Sequence, residues 1–180
     1  MKHILPILTI TTLAAAASAQ TAVAPAGLSY NRVTVSRSGQ NNALAAEALL
    51  GSSNVLATIG TTSSSYYGSE TTYSLGYVFK NVAYGVDATL SFGAGSESDH
   101  STYSVTLRRA LSEVIQGLEA RVVVAQNDGA DATVQNPQGV AARTSAVYEL
   151  QYNITKQYAV AYSLTDGPEN VHTVSFRYNF

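Results

Sequence analysis

The chain has 180 residues, a length that predicts a single domain. Charged side chains make up 12% of it, against about 25% in an ordinary soluble domain, and the formal net charge of −2 leaves no basic footprint for nucleic acid. Cysteine is absent, which excludes a disulfide framework and any thiolate metal site. Beyond the N-terminal stretch no apolar run is long enough to be a spanning helix, which needs about 18 residues or more.

The first segment, Met1 to Ala19, has a basic start, a short apolar run and the small-residue ending Ala17-Ser18-Ala19. That pattern predicts a secretory signal peptide over 1–19, cleaved before Gln20, and therefore export. Residues 20–27, with Pro25, read as a short periplasmic tail ahead of the folded unit, a transmembrane β-barrel expected over 28–180.

From Leu28 onward the chain falls into runs of about 9–11 residues, the length of a tilted transmembrane strand. Ten are expected: Leu28–Arg37, Ala43–Leu50, Val55–Thr62, Thr71–Phe79, Val82–Phe92, Thr102–Ala110, Leu118–Gln126, Thr144–Ile154, Tyr158–Leu164 and Val171–Phe180. Helical caps followed by apolar stripes at helical spacing are missing; only Asn41 to Leu50 has a composition that suits a helix. The connections alternate. Those at Gly51–Asn54, Lys80-Asn81, Leu111–Gly117 and Thr155–Gln157 are short. Those at Ser63–Glu70, Gly93–Ser101, Asn127–Arg143 and Thr165–Asn170 are longer and polar, and Ser38–Asn42 is the one short connection on their side. An even strand count with short turns at one end and longer loops at the other is the pattern of a bacterial transmembrane barrel.

Period-two alternation then assigns faces. The outward, apolar parity holds Tyr73, Leu75, Tyr77 and Phe79 on the fourth run, and Val82, Tyr84, Val86, Leu90 and Phe92 on the fifth. It continues with Tyr148, Leu150, Tyr152 and Ile154, and with Tyr158, Val160, Tyr162 and Leu164. The inward parity carries Glu47, Asp87, Arg108, Glu119, Arg121, Glu149 and Arg177. Buried charges need partners, so these seven are expected to form an interior ion-pair and hydrogen-bond network. Asp87, Arg108 and Glu119 would lie side by side, with Arg121 next to Glu149. Small inward positions, Ser74, Gly76, Ala83, Gly85, Ser91, Ser104, Ala125, Ala159 and Ala161, leave room for water. Arg109 falls on the outward parity, where it could snorkel to the interface.

The final run alternates Val174, Phe176, Tyr178 and Phe180 against Thr173, Ser175, Arg177 and Asn179. Here the chain resembles the small Gram-negative outer-membrane β-barrel proteins, of OmpA-like or porin-like type, whose last strand ends in Phe with aromatics two and four positions earlier. Leu28-Ser-Tyr-Asn-Arg-Val33 is similar to their opening strand, with Arg32 in place of the usual aromatic. The resemblance implies an all-β, closed, antiparallel up-and-down transmembrane β-barrel in the bacterial outer membrane. It has ten strands on the count above, with eight as the alternative. It also implies that Phe176, Tyr178 and Phe180 form the signal read by the barrel-assembly machinery, that periplasmic chaperones escort the chain, and that outer-membrane lipid and lipopolysaccharide surround a monomer.

For function, the expectation is a structural or surface-interaction role without cofactor, metal or catalysis; the alternative is a narrow, porin-like passive channel for small solutes. A hydrolase at the rim comes third, on His100 within Glu97-Ser98-Asp99-His100-Ser101 and on His172. The acidic loop residues Glu70, Glu97, Asp99, Asp128, Asp131, Asp166 and Glu169 read first as solvation.

Overall fold

The computed structural model describes residues 28–64, 68–96, 101–129, 142–166 and 170–180. The expected leader, the tail, and Glu97, Asp99, His100, Asp131 and Glu169 lie outside the described residues. Ten strands follow in order: β1 Arg32–Ser38, β2 Asn41–Leu49, β3 Val55–Ser64, β4 Gly68–Ala83, β5 Val86–Gly95, β6 Ser101–Ala110, β7 Leu118–Asn127, β8 Arg143–Asn153, β9 Tyr158–Asp166 and β10 Val171–Asn179. Each pairs antiparallel with its neighbour in sequence, and β10 closes the barrel on β1. The seam runs from Arg32↔Asn179 to Arg37↔Val174 and is extended by the Phe180 amide, which donates to the Asn31 carbonyl at 3.1 Å. Closure leaves no unpaired edge, the condition for a sheet to cross hydrocarbon. The alternative of eight strands is thereby excluded, and the alanine-rich second run is a strand whose partners are β1 and β3.

The outward face is apolar and exposed from β4 round through β10 to Val35 of β1, while Ala46 of β2 and Ile59 of β3, on the same parity, are buried with Val33 and Leu44 packed against them. Leu75, Leu90, Phe92, Tyr103, Leu150, Tyr162, Val174 and Phe176 are each about half exposed. A water-soluble monomer rarely shows apolar patches beyond a few hundred Å², so this belt is the lipid-facing surface of a transmembrane barrel. Aromatic rings gather near its two ends. Tyr158 contacts Phe176 and Tyr178 at the end that carries the termini, and Phe92 packs on Tyr103 towards the other. An amphipathic ring suits such a boundary because one side is apolar and the other wet.

Three expectations are corrected. Leu28–Asn31 is not part of the first strand; it precedes β1 and turns into the barrel. The turn expected at Lys80-Asn81 lies further on, at Tyr84-Gly85. Asn81 takes φ 51° where the β4–β5 register shifts between Phe79 and Ala83, so it makes a bulge, and β4 continues to Ala83. Tyr84 (φ 50°) and Gly85 (φ 75°) then form a two-residue hairpin with both φ positive, the type I′ geometry that matches strand twist. Tyr84 is consequently a turn residue, 91% exposed, and neither it nor Gly85 is a wall position of β5. Third, the contrast in connection length shrinks, because β3, β4 and β9 extend into the stretches expected as loops. Only the β7–β8 connection stays long.

Inside the wall, β4 and β5 come close where side chains are missing. A Cβ on Gly93 would stand 2.8 Å from the Tyr73 carbonyl oxygen and 2.9 Å from Ser74 Cβ. Glycine at such a position lets a strand bend tightly.

Candidate functional site in the barrel lumen

The inward residues divide into two zones. Towards the loop end most are small or hydroxylic, among them Thr34 and Ser36 of β1, Ala43 and Ala45 of β2, Ser74 of β4, Ser91 of β5, Ser104 of β6, and Ser163 and Ser175 of β9 and β10, with Val123 of β7 and Val147 of β8 the apolar exceptions and Glu70 and Arg143 nearest the loops. Ser91 and Ser104 share a hydrogen bond of 2.8 Å across the wall. Towards the terminal end the same parity places long charged side chains, and the register brings them to nearly one height.

These side chains form one connected cluster. Arg177 grips Glu149 with two bonds, Nη1 to Oε1 at 2.9 Å and Nη2 to Oε2 at 2.6 Å. Arg121 Nη1 approaches Glu149 Oε1 at 3.8 Å. Arg32 Nε pairs with Glu47, and Arg32 Nη1 donates to Gln151 Oε1 at 3.3 Å. Arg108 Nε donates to Glu119 Oε1 at 2.8 Å. Gln151 joins the groups: its Oε1 accepts from Arg32 and Arg177, while its Nε2 donates to Glu119 Oε2 at 3.5 Å and Asn153 Oδ1 at 2.8 Å. Removing a charge from water costs several kcal/mol unless partners are supplied. Here Arg32, Arg108, Arg177, Glu119 and Glu149 are all buried, and each meets an opposite charge.

Of the seven charged positions expected inside, Glu47, Arg108, Glu119, Arg121, Glu149 and Arg177 meet in this cluster. Asp87 does not pair with Arg108, although the two are opposite in the β5–β6 register. Its carboxylate is occupied elsewhere: Oδ1 accepts the Asn81 amide at 2.7 Å and Oδ2 accepts the Tyr30 hydroxyl at 2.6 Å. Arg109 faces outward and pairs with Glu113 at 2.5 Å. Three participants escaped the sequence reading: Arg32, Gln151 and Tyr30. Alternation would have found two. Arg32 shares parity with Thr34 and Ser36, and Gln151 with Glu149 and Asn153.

Tyr30 forms the floor. It precedes β1 yet reaches β5 and β6, on the far side of the strand order. Its ring lies under the Arg108 guanidinium, 4.5 Å from Cζ to the centroid, and packs against Leu56 and Val78 with Leu28 and Leu49 beside it. Arg108 Nη2 also donates to the Ser29 carbonyl at 2.8 Å. Burial above all, with the Asp87 bond second, pushes the phenol of Tyr30 above its ordinary pKa. Above the floor lies a cavity of about 130 Å³, lined by Tyr30, Arg32, Glu47, Arg108 and Arg121 below and by Ser74, Thr89, Ser91, Ser104 and Thr106 around. Arg121 is the least buried of the cluster's arginines, at 25%.

The rim histidine His172 points out of the lumen, where its Nδ1 meets the Tyr162 hydroxyl at 2.5 Å. The outward set Phe176 and Tyr178 lies along the closing strand, with Phe180 immediately beyond it. Among the described residues no cluster of histidine and carboxylate side chains could hold a metal ion.

No protein-family model and no curated protein matches the chain. Among solved structures it is similar to a KdgM porin, at 10% identity, over 83% of this chain and 98% of that one, with a TM-score of 0.48. A KdgM porin in complex with disordered oligogalacturonate, at 10% identity and the same coverage, gives a TM-score of 0.49. A NanC porin, at 8% identity over 83% of this chain and 98% of that one, gives 0.47.

Proposed function

We propose that the protein is a narrow passive channel of the bacterial outer membrane for small hydrophilic solutes. The observation that carries this reading is the lumen itself: an upper half lined mostly by small and hydroxylic side chains, with a cavity of several waters' volume that reaches the arginine–glutamate cluster. A volume of about 130 Å³ has room for roughly four waters at liquid density. The cavity also has the polar partners that waters need. The cluster narrows the passage, and Arg121, paired at the longest distance and partly exposed, is the charge a passing ion meets.

Within this reading the chain is exported on its leader, escorted by periplasmic chaperones and inserted by the barrel-assembly machinery through Phe176, Tyr178 and Phe180. It works as a monomer among outer-membrane lipid and lipopolysaccharide, without catalysis, cofactor, metal or nucleic acid. Planar-bilayer recording of protein purified from expressing cells tests the channel. The expected result is a small, steady single-channel step whose reversal potential in a salt gradient moves towards cation preference in Arg121→Ala. Absence of any step both from the parent and from Tyr30→Ala, each showing the heat-dependent gel shift of a folded barrel, would refute it. A second reading, a closed structural barrel, is favoured by one feature, the floor formed by Tyr30.

A further inference from the structure

We infer that residues Leu28 to Tyr30 are a releasable gate across the terminal mouth of the lumen, pivoting at Asn31. This deepens the channel reading and rests on it. The pivot is held by the backbone and its own side chain: Asn31 Oδ1 accepts the Leu49 amide at 2.9 Å, and its carbonyl accepts the Phe180 amide at 3.1 Å. Beyond Asn31 the segment joins no strand. It is held by the Tyr30 hydroxyl on Asp87, the Ser29 carbonyl on Arg108, the ring under Arg108, and apolar packing on Leu56 and Val78.

Each charged group that holds the gate has a second partner in the wall. Arg108 keeps Glu119 through Nε and Nη2, and Asp87 keeps the Asn81 amide. Release therefore strands no buried charge, the usual reason why such a contact cannot open. What release does expose is the apolar floor of Leu49, Leu56 and Val78, which favours the closed position. The gate also lies at the lower end of the cavity, so its movement would join that space to the terminal side.

Single-channel recording of the parent protein, Tyr30→Ala and Tyr30→Phe decides the matter, each variant first checked for the folded-barrel gel shift. Tyr30→Ala is expected to raise unit conductance at least twofold and to suppress closures. Tyr30→Phe keeps the ring but not the Asp87 bond; it should keep the parent's unit conductance and spend several-fold more time open. A silent parent with a conducting Tyr30→Ala would support the gate while refuting a channel that is open at rest. A conducting parent whose conductance and closures are unchanged in Tyr30→Ala would overturn the gate and leave the channel standing. Folded but silent parent and variants would overturn both. Should Tyr30→Ala not fold, an unchanged open fraction in Tyr30→Phe overturns the gate by itself.

Discussion

Gln151 is neutral, yet it joins charges that would otherwise be buried as separate pairs. It is 2% exposed and offers one acceptor to two arginines and one amide to Glu119. Gln151→Leu would keep much of the volume and leave Arg32, Arg177 and Glu119 each one partner short. An unmet bond to a buried charged group costs about 1–3 kcal/mol or more. The remaining ion pairs limit the damage, so a net loss of about 2–4 kcal/mol is expected by urea unfolding in lipid vesicles. Gln126→Leu, on the exposed outward face of β7, should change stability by less than about 0.5 kcal/mol. Equal stability of Gln151→Leu and the parent would show that the amide holds nothing together. Selecting inward residues by charge alone passes over such a residue, although alternation along β8 places it inward as firmly as Glu149. Tyr30 was hidden for another reason. Its partners Asp87 and Arg108 are respectively 57 residues from Tyr30 and 79 from Ser29, and the local alternation of Leu28 to Val33 looks like a strand.

The β4–β5 hairpin shows how far an element can be placed from its residues. Asn81 has the side chain of a turn residue and a left-handed φ, but it uses them in a bulge, where its Oδ1 accepts the Gly85 amide at 3.0 Å. The turn itself falls to Tyr84-Gly85, and tyrosine is a poor choice for positive φ. A left-handed conformation costs an ordinary L-residue about 1–2 kcal/mol, and asparagine distinctly less. Tyr84→Asn is therefore expected to stabilise the barrel by about 1 kcal/mol in the same urea assay. A loss of stability would mean instead that the exposed Tyr84 ring anchors this turn in the membrane interface. Sequence alternation located β2, β3 and β6 to β10 within about two residues of their ends, because one apolar face and one polar face leave a single workable parity, whereas β1, β4 and β5 are displaced by three or four residues at one end or both. It was less accurate in polar stretches such as Ser63–Glu70, where strands continue without an apolar face to mark them.

At the scale of the whole molecule, the architecture follows from a wall that is apolar outside, polar inside and closed on itself. Those properties were legible because alternation persists through β4, β5, β8, β9 and β10 and because the strand number is even. What the barrel encloses was less legible. Whether ten inward-facing strands are packed full or hold water depends on how side chains from opposite walls meet, as Arg32 with Gln151 and Tyr30 with Asp87 do. The chain contains no cysteine, so single cysteines can report on the wall directly. The most direct test places them at Ser74, Ser91 and Ser104 of the cavity lining, and at their outward neighbours Leu75, Leu90 and Val105, in protein embedded in lipid vesicles. With a membrane-impermeant maleimide, the three inward cysteines should react at least about tenfold faster than the three outward ones, as a wet lumen and a lipid-covered exterior require. Equal rates on the two faces, or faster reaction outside, would contradict the account.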